Sequence, residues 1–216
     1  PIMLKGIIFD FDGVIAESVQ VKTNAFATLY EQYGDNIVNK VIEHHEANGG
    51  ISRFEKIKLY HESFLNKAIT NEEIEELANQ FSKLVVRKVI DSPYVPGVFK
   101  YIQKCYKKYK LFISTGTPTE EIKQILEGRE IAQYFAEVYG SPEAKTLHLH
   151  NILSKYDLQS DELIFYGDSN TDLEAAKGKN IAFVLRLHPL NQNRFNNYKG
   201  KTIIDFNELL NFSMQG

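Results

Sequence analysis

Short apolar runs alternate along this chain with longer stretches whose apolar positions recur at helical spacing. The runs at Gly6–Phe9, Leu111–Ile113, Leu163–Tyr166 and Ile181–Leu185, with weaker ones at Ala136–Tyr139 and Thr202–Ile204, read as strands buried on both faces. Helical patterns lie between them. That alternation predicts βαβ units and an α/β fold built on a doubly wound parallel sheet.

From Glu17 to Val89 the strand signal vanishes. Thr70 and Glu73 form a capping-box pattern, and Ile74, Leu77, Phe81, Leu84 and Val85 mark one face of the helix that follows. Other helices are expected in "VKTNAFATLYEQYG", ended by Gly34, in a shorter segment ending at Asn48–Gly50, and in "RFEKIKLYHESFLNK" with Phe54, Ile57, Tyr60 and Phe64 in register. The chain is long for one core and short for two full domains. A Rossmann-like core (residues 1–16 and 90–216) with an inserted all-helical cap domain (17–89) follows, re-entered through Pro93, Pro96 and Gly97.

Charge narrows the partners. A formal net charge of −3 leaves no basic surplus for nucleic acid or an acidic membrane, and no apolar run approaches a bilayer-spanning length. Cys105 is the single cysteine, so no internal disulfide is available; with no basic-then-apolar leader in view, a cytoplasmic address is expected.

Four segments place reactive residue types just after expected strands, where open α/β sheets bind ligands. In "FDFDGV", Asp10 and Asp12 point to one side of an extended segment. Two carboxylates about 4 Å apart repel by roughly 4 kcal/mol at an effective dielectric of about 20, so a cation is expected between them. In "LFISTGTP", Ser114, Thr115 and Gly116 lead to a helix start at Thr117 and Pro118, a junction suited to anions. In "SPEAK", Lys145 falls in the first turns of a helix, where the dipole disfavours a cation. In "YGDSNTD", Asp168 follows a strand directly, and Asp172 sits in the next helix's first turn. Three carboxylates call for a hard divalent cation with oxygen ligands, for which Mg²⁺ is suited, while Lys145 and the Thr115 hydroxyl suit an anion. A phosphoryl group answers both demands.

In this order the motifs resemble the haloacid dehalogenase superfamily, specifically its phosphoglycolate-phosphatase-like and phosphoglucomutase-like branch with a helical cap after the first motif. The resemblance covers nearly the whole chain. It implies a Mg²⁺-dependent phosphatase acting on a small phosphorylated metabolite, with Asp10 as nucleophile and Asp12 as general acid and then base. It also implies that Asp10, Asp168 and the Asp12 backbone carbonyl hold Mg²⁺, that Thr115, Gly116 and Lys145 bind the phosphoryl group, and that Asp172 supports metal or lysine. Ser114 is the alternative to Thr115. Val14 stands where the branch often has Thr, and Glu17-Ser18 where it often has Asp-Ser, neither touching the chemistry. A phosphosugar mutase would use the same residues, and an idle phosphate- or metal-binding module is the non-enzymatic alternative. In the cap, Gly49 and Gly50 break a helix just before Arg53 and Lys56, and Arg53 is expected to touch the substrate; His44 and His45 are expected at the surface.

Overall fold

The computed structural model describes residues 3–213, and side chains up to residue 210. It contains a six-stranded parallel sheet in the order β3-β2-β1-β4-β5-β6, formed by β1 (Gly6–Phe9), β2 (Lys110–Pro118), β3 (Glu137–Ser141), β4 (Leu163–Gly167), β5 (Ala182–Arg186) and β6 (Lys201–Ile203). β1 is central because it is apolar on both sides. Ile7 and Phe9 join one buried cluster with Val98 and Ile102, while Ile8 joins a second with Leu149, Ile152, Ala175 and Ala176. Helices therefore cover both faces. α5 (Val98–Cys105), α6 (Thr119–Gly128) and α9 (Asn207–Ser213) serve the first cluster's side, and α7 (Lys145–Lys155) and α8 (Asn170–Gly178) the second.

Strand order reverses at β1, whose neighbours are β2 and β4. The crevice beyond those three carboxyl ends is the expected ligand position in such a sheet.

Between β1 and α5 run α1 (Val19–Tyr30), α2 (Asp35–Ala47), α3 (Arg53–Leu59, continued by a π-turn over Tyr60–Phe64) and α4 (Asn71–Ile90). Their shared interior is aromatic: Phe26 and Phe81 lie 4.4 Å apart by centroid, and Tyr30 meets Tyr60 edge-on at 5.6 Å. The Thr70–Glu73 capping box is formed in full. The two connections to the sheet pair with each other, Glu17 donating to the Pro93 carbonyl and Val95 to that of Ile15, both at 2.9 Å. Arg129 donates to the carbonyls of Val89, Ile90 and Ser92, satisfying the end of α4.

Three local expectations are corrected. β2 stays extended through Pro118, because after a register shift Pro118 pairs with Ser141; α6 starts at Thr119, and Thr117–Pro118 do not form its first turn. α7 begins at Lys145 itself, with Ser141 ending β3. The buried face of α3 carries Arg53, Lys56 and Ile57, so Phe54 is only half-buried: Arg53 turns inward to Glu121, and Lys56 turns inward to the His45 ring. Among the described residues, no helix is long and apolar enough to cross a membrane.

Candidate active site

Asp10 continues the β1 ladder, its N–H donating to the Tyr166 carbonyl at 2.9 Å. This places its carboxyl at the carboxyl end of the central strand, 4% exposed, with Oδ1 accepting from the Phe11 N–H at 2.7 Å. Burial raises its pKa well above the carboxylate range, and the Asp172 charge adds to this against Lys145.

After Asp10 the chain must turn back. Gly13 makes the turn at φ +81°, and a Cβ there would overlap the Asp168 carboxylate, so glycine is needed for two separate reasons. Asp12 consequently faces a different neighbourhood from Asp10. Its Oδ1 accepts from Ser18 Oγ and its Oδ2 from Lys22 Nζ, both at 2.6 Å, and Lys22 also donates to Thr117 Oγ1 at 2.6 Å.

At the end of β4, Asp168 and Asp172 are held in different ways. Ser169 caps α8, and Asp172 Oδ2 accepts from the backbone N–H groups of Asp168 and Ser169 and from Ser169 Oγ. Its other oxygen takes a short hydrogen bond from Lys145 Nζ, which also lies 3.3 Å from Asp10 Oδ2. Burial opposes the charge of Lys145, but Asp10 and Asp172 outweigh it and hold the pKa above the ordinary lysine value. The dipole penalty at the start of α7 is thus offset by two carboxylates. Asp168 Oδ2 lies 2.8 Å from His188 Nε2, and the Leu190 N–H donates to His188 Nδ1, which leaves the proton on Nε2 to donate to Asp168.

Asp10, Asp168 and Asp172 each offer an oxygen within 4.8 Å of the others. Hard oxygen donors so crowded and so buried, with Lys145 as the ammonium that touches two of them, have the chemistry of a Mg²⁺ site.

In the second motif, Ser114 Oγ meets His148 Nδ1 at 2.8 Å and Thr115 Oγ1 accepts from the Thr117 N–H at 3.2 Å, and Thr115 and Gly116 line the same cavity as Asp10 and Asp12. That cavity, about 1280 Å³, is roofed by the Gly49–Gly50 turn. A Cβ on Gly116 would sit 2.7 Å from the Gly50 carbonyl oxygen, and one on Gly50 2.8 Å from Lys145 Nζ.

Arg53 also lines this cavity, but its guanidinium forms a two-pronged pair with Glu121 of α6 at 3.0 and 2.6 Å. It further donates to Ser82 and lies over the Phe81 ring at 4.6 Å. Sequence reasoning missed Lys22 and His188, and named Lys56 only as a cation beside Arg53. The available signal was a lysine set on an apolar stripe: Lys22 between Val19 and Phe26, Lys56 beside Ile57. His45, expected at the surface, is buried with Nδ1 2.9 Å from Lys56 Nζ.

A model of the haloacid dehalogenase-like hydrolase family matches residues 7–185. A phosphorylated carbohydrates phosphatase of Thermotoga maritima is 22% identical over 200 residues, covering 88% of this chain and 89% of that protein. A phosphoglycolate phosphatase of Vibrio vulnificus is 25% identical over 188 residues, covering 83% and 82%. Among solved structures, a beta-phosphoglucomutase from Clostridium difficile superposes with TM-score 0.77 at 20% identity, covering 99% and 96%. CbbY from Rhodobacter sphaeroides, in complex with xylulose-1,5-bisphosphate, does so at 0.74 and 16%, covering 96% of each chain. The chain belongs to the haloacid dehalogenase-like hydrolases.

Proposed function

We propose that the protein is a Mg²⁺-dependent phosphatase that hydrolyses a small-molecule phosphate monoester through an aspartyl-phosphate on Asp10. The observation that carries this reading is the convergence of Asp10, Asp168 and Asp172 within 4.8 Å, with Lys145 spanning Asp10 and Asp172.

Asp10 attacks phosphorus, forming an O–P bond as the bond to the leaving oxygen breaks. Asp12, aimed by Ser18 and Lys22, gives its proton to that oxygen. A water then attacks the aspartyl-phosphate, Asp12 takes the water's proton, and phosphate leaves with Asp10 restored. Thr115 and the Gly116 N–H hold phosphoryl oxygens, and Lys145 offsets their charge. Mg²⁺ held by Asp10, Asp168 and the Asp12 carbonyl would supply the balancing charge for the phosphoryl dianion. Asp172 acts through Lys145, which it orients.

Helices α1–α4 serve as a cap, and the Gly49–Gly50 turn over Gly116 and Lys145 keeps bulk water from the intermediate. Arg53 holds that cap to α6 through Glu121.

With Mg²⁺ the protein should release inorganic phosphate from a panel of metabolite monoesters, and Asp10→Asn should abolish release from all of them. An equally active Asp10→Asn variant would refute the nucleophile assignment. Conversion of a hexose phosphate to its isomer, with no free phosphate, would establish the mutase reading in its place.

A further inference from the structure

Lys56 is the exception among the cations of this site that are shielded from solvent; Lys177, Arg194 and Lys199 also line the cavity but are exposed. Lys145 meets Asp10 and Asp172, Lys22 meets Asp12, and Arg53 meets Glu121. Among the described residues no carboxylate pairs with Lys56, which is 3% exposed, lines the cavity, and has His45 Nδ1 at 2.9 Å and the Phe26 ring at 5.8 Å. A buried ammonium without an anion is expensive. The strain is visible in its proton affinity: burial, and after it the charges of Lys22, Lys145 and Arg53, bring the pKa down to about 7. His45, which burial and Lys56 itself hold in the neutral form, offers Nδ1 as an acceptor but no countercharge. An apolar residue at this position would cost nothing in charge, and α3 has Ile57 beside it doing that work.

We infer that Lys56, held in place by His45, is a specificity-determining residue that pairs with a second anionic group, carboxylate or phosphate, carried on the leaving group of the substrate. This rests on the phosphatase reading and adds a substrate class to it. The location supports the assignment: Lys56 lies one turn beyond Arg53 on the helix that follows the Gly49–Gly50 roof, so it is carried by the cap while Lys145 is carried by the core. Lys22 and Asp12, at the position assigned to the departing oxygen, line the same cavity. A molecule with one anion at Thr115–Gly116 and another beyond its ester oxygen matches that arrangement. Arg53, the cation sequence reasoning selects, is already neutralised by Glu121.

The test compares three monoesters on the intact protein with Mg²⁺: ethyl phosphate, with a neutral leaving group; phosphoglycolate, with a carboxylate; and fructose 1,6-bisphosphate, with a second phosphate. The wild type should favour one or both anionic substrates over ethyl phosphate in kcat/KM. Lys56→Met should lower that preference by about 10- to 100-fold, the range for losing one charge-assisted hydrogen bond, with the loss mainly in KM. Lys56→Arg should recover part of it, and a thermal melt separates a folding defect from a binding one. Which anionic substrate is affected identifies the group that Lys56 reads. Equal losses on all three substrates, or no preference in the wild type, would overturn the inference. If Asp10→Asn stays active, it is the phosphatase reading that has failed.

Discussion

Replacing Glu121 tests whether Arg53 acts on structure or on substrate. The pair is buried, with 4% and 7% of the two side chains exposed, and it joins α3 to α6, the helix immediately beyond Thr115–Pro118. Glu121→Gln keeps the volume and removes the charge, leaving the guanidinium with one neutral amide acceptor, Ser82 and the Phe81 face. Breaking a buried pair from one side costs about 3–5 kcal/mol, because the surviving charge remains desolvated. The retained contacts argue for the lower end, about 3 kcal/mol, which in a chain of this size lowers Tm by roughly 6–12 °C. Combining Arg53→Met with Glu121→Gln should cost much less than the sum of the single variants. Thermal melts of the four proteins give the coupling, and kcat and KM on the same samples give the function. If Glu121→Gln leaves Tm within 1 °C while Arg53→Met raises KM alone, Arg53 is a substrate contact and the bridging role is wrong.

Gly116→Ala places a methyl 2.7 Å from the Gly50 carbonyl oxygen, so the roof must lift; kcat/KM should fall by about 10- to 100-fold with little change in Tm, and an unaffected kcat/KM would show that the closed arrangement is not the reacting one. His148, buried between Ser114 and the Gly140 carbonyl, has its pKa lowered to about 4 by burial. Folding therefore favours its neutral form: stability is full above about pH 6.5 and declines as pH falls toward 4, by roughly 3 kcal/mol from this group. Urea titrations from pH 7 to 4 should show this decline, and His148→Gln should flatten that part of the profile.

What was legible in the sequence is what local chemistry alone decides. β1 and β4 are apolar on both faces and end in aspartate, so their position and the direction of the site follow from a few residues. The capping box at Thr70 satisfies a helix N-terminus by itself and was readable for the same reason. The extension of β2 was not, because Pro118 is drawn into the sheet by Ser141, a partner outside its own segment. Nor was the true inner face of α3. A sequence pattern assigns arginine and lysine to solvent, and only the arrival of Glu121 from α6 makes Arg53 an interior residue. Asp12 and Lys22 were half-legible: the carboxylate stood out by its spacing, whereas the lysine that aims it lies ten residues on, inside a helical segment where nothing local marks it.

On the proposed reading of α1–α4 as a cap, the same logic gives a physical reason for closure on a ligand and not on an empty site. The Gly49–Gly50 turn rests against Gly116 and Lys145, so closure removes water from Asp10, Asp168 and Asp172 on one side and from Lys56 on the other. Each desolvation is unfavourable alone. On the core side the excess is negative, and in the proposed reaction Mg²⁺ would offset it. On the cap side it is positive and needs an anion. A phosphate ester that arrives with Mg²⁺ and carries a second anionic group offsets both, and its differential affinity for the closed arrangement is then what shifts the population toward it.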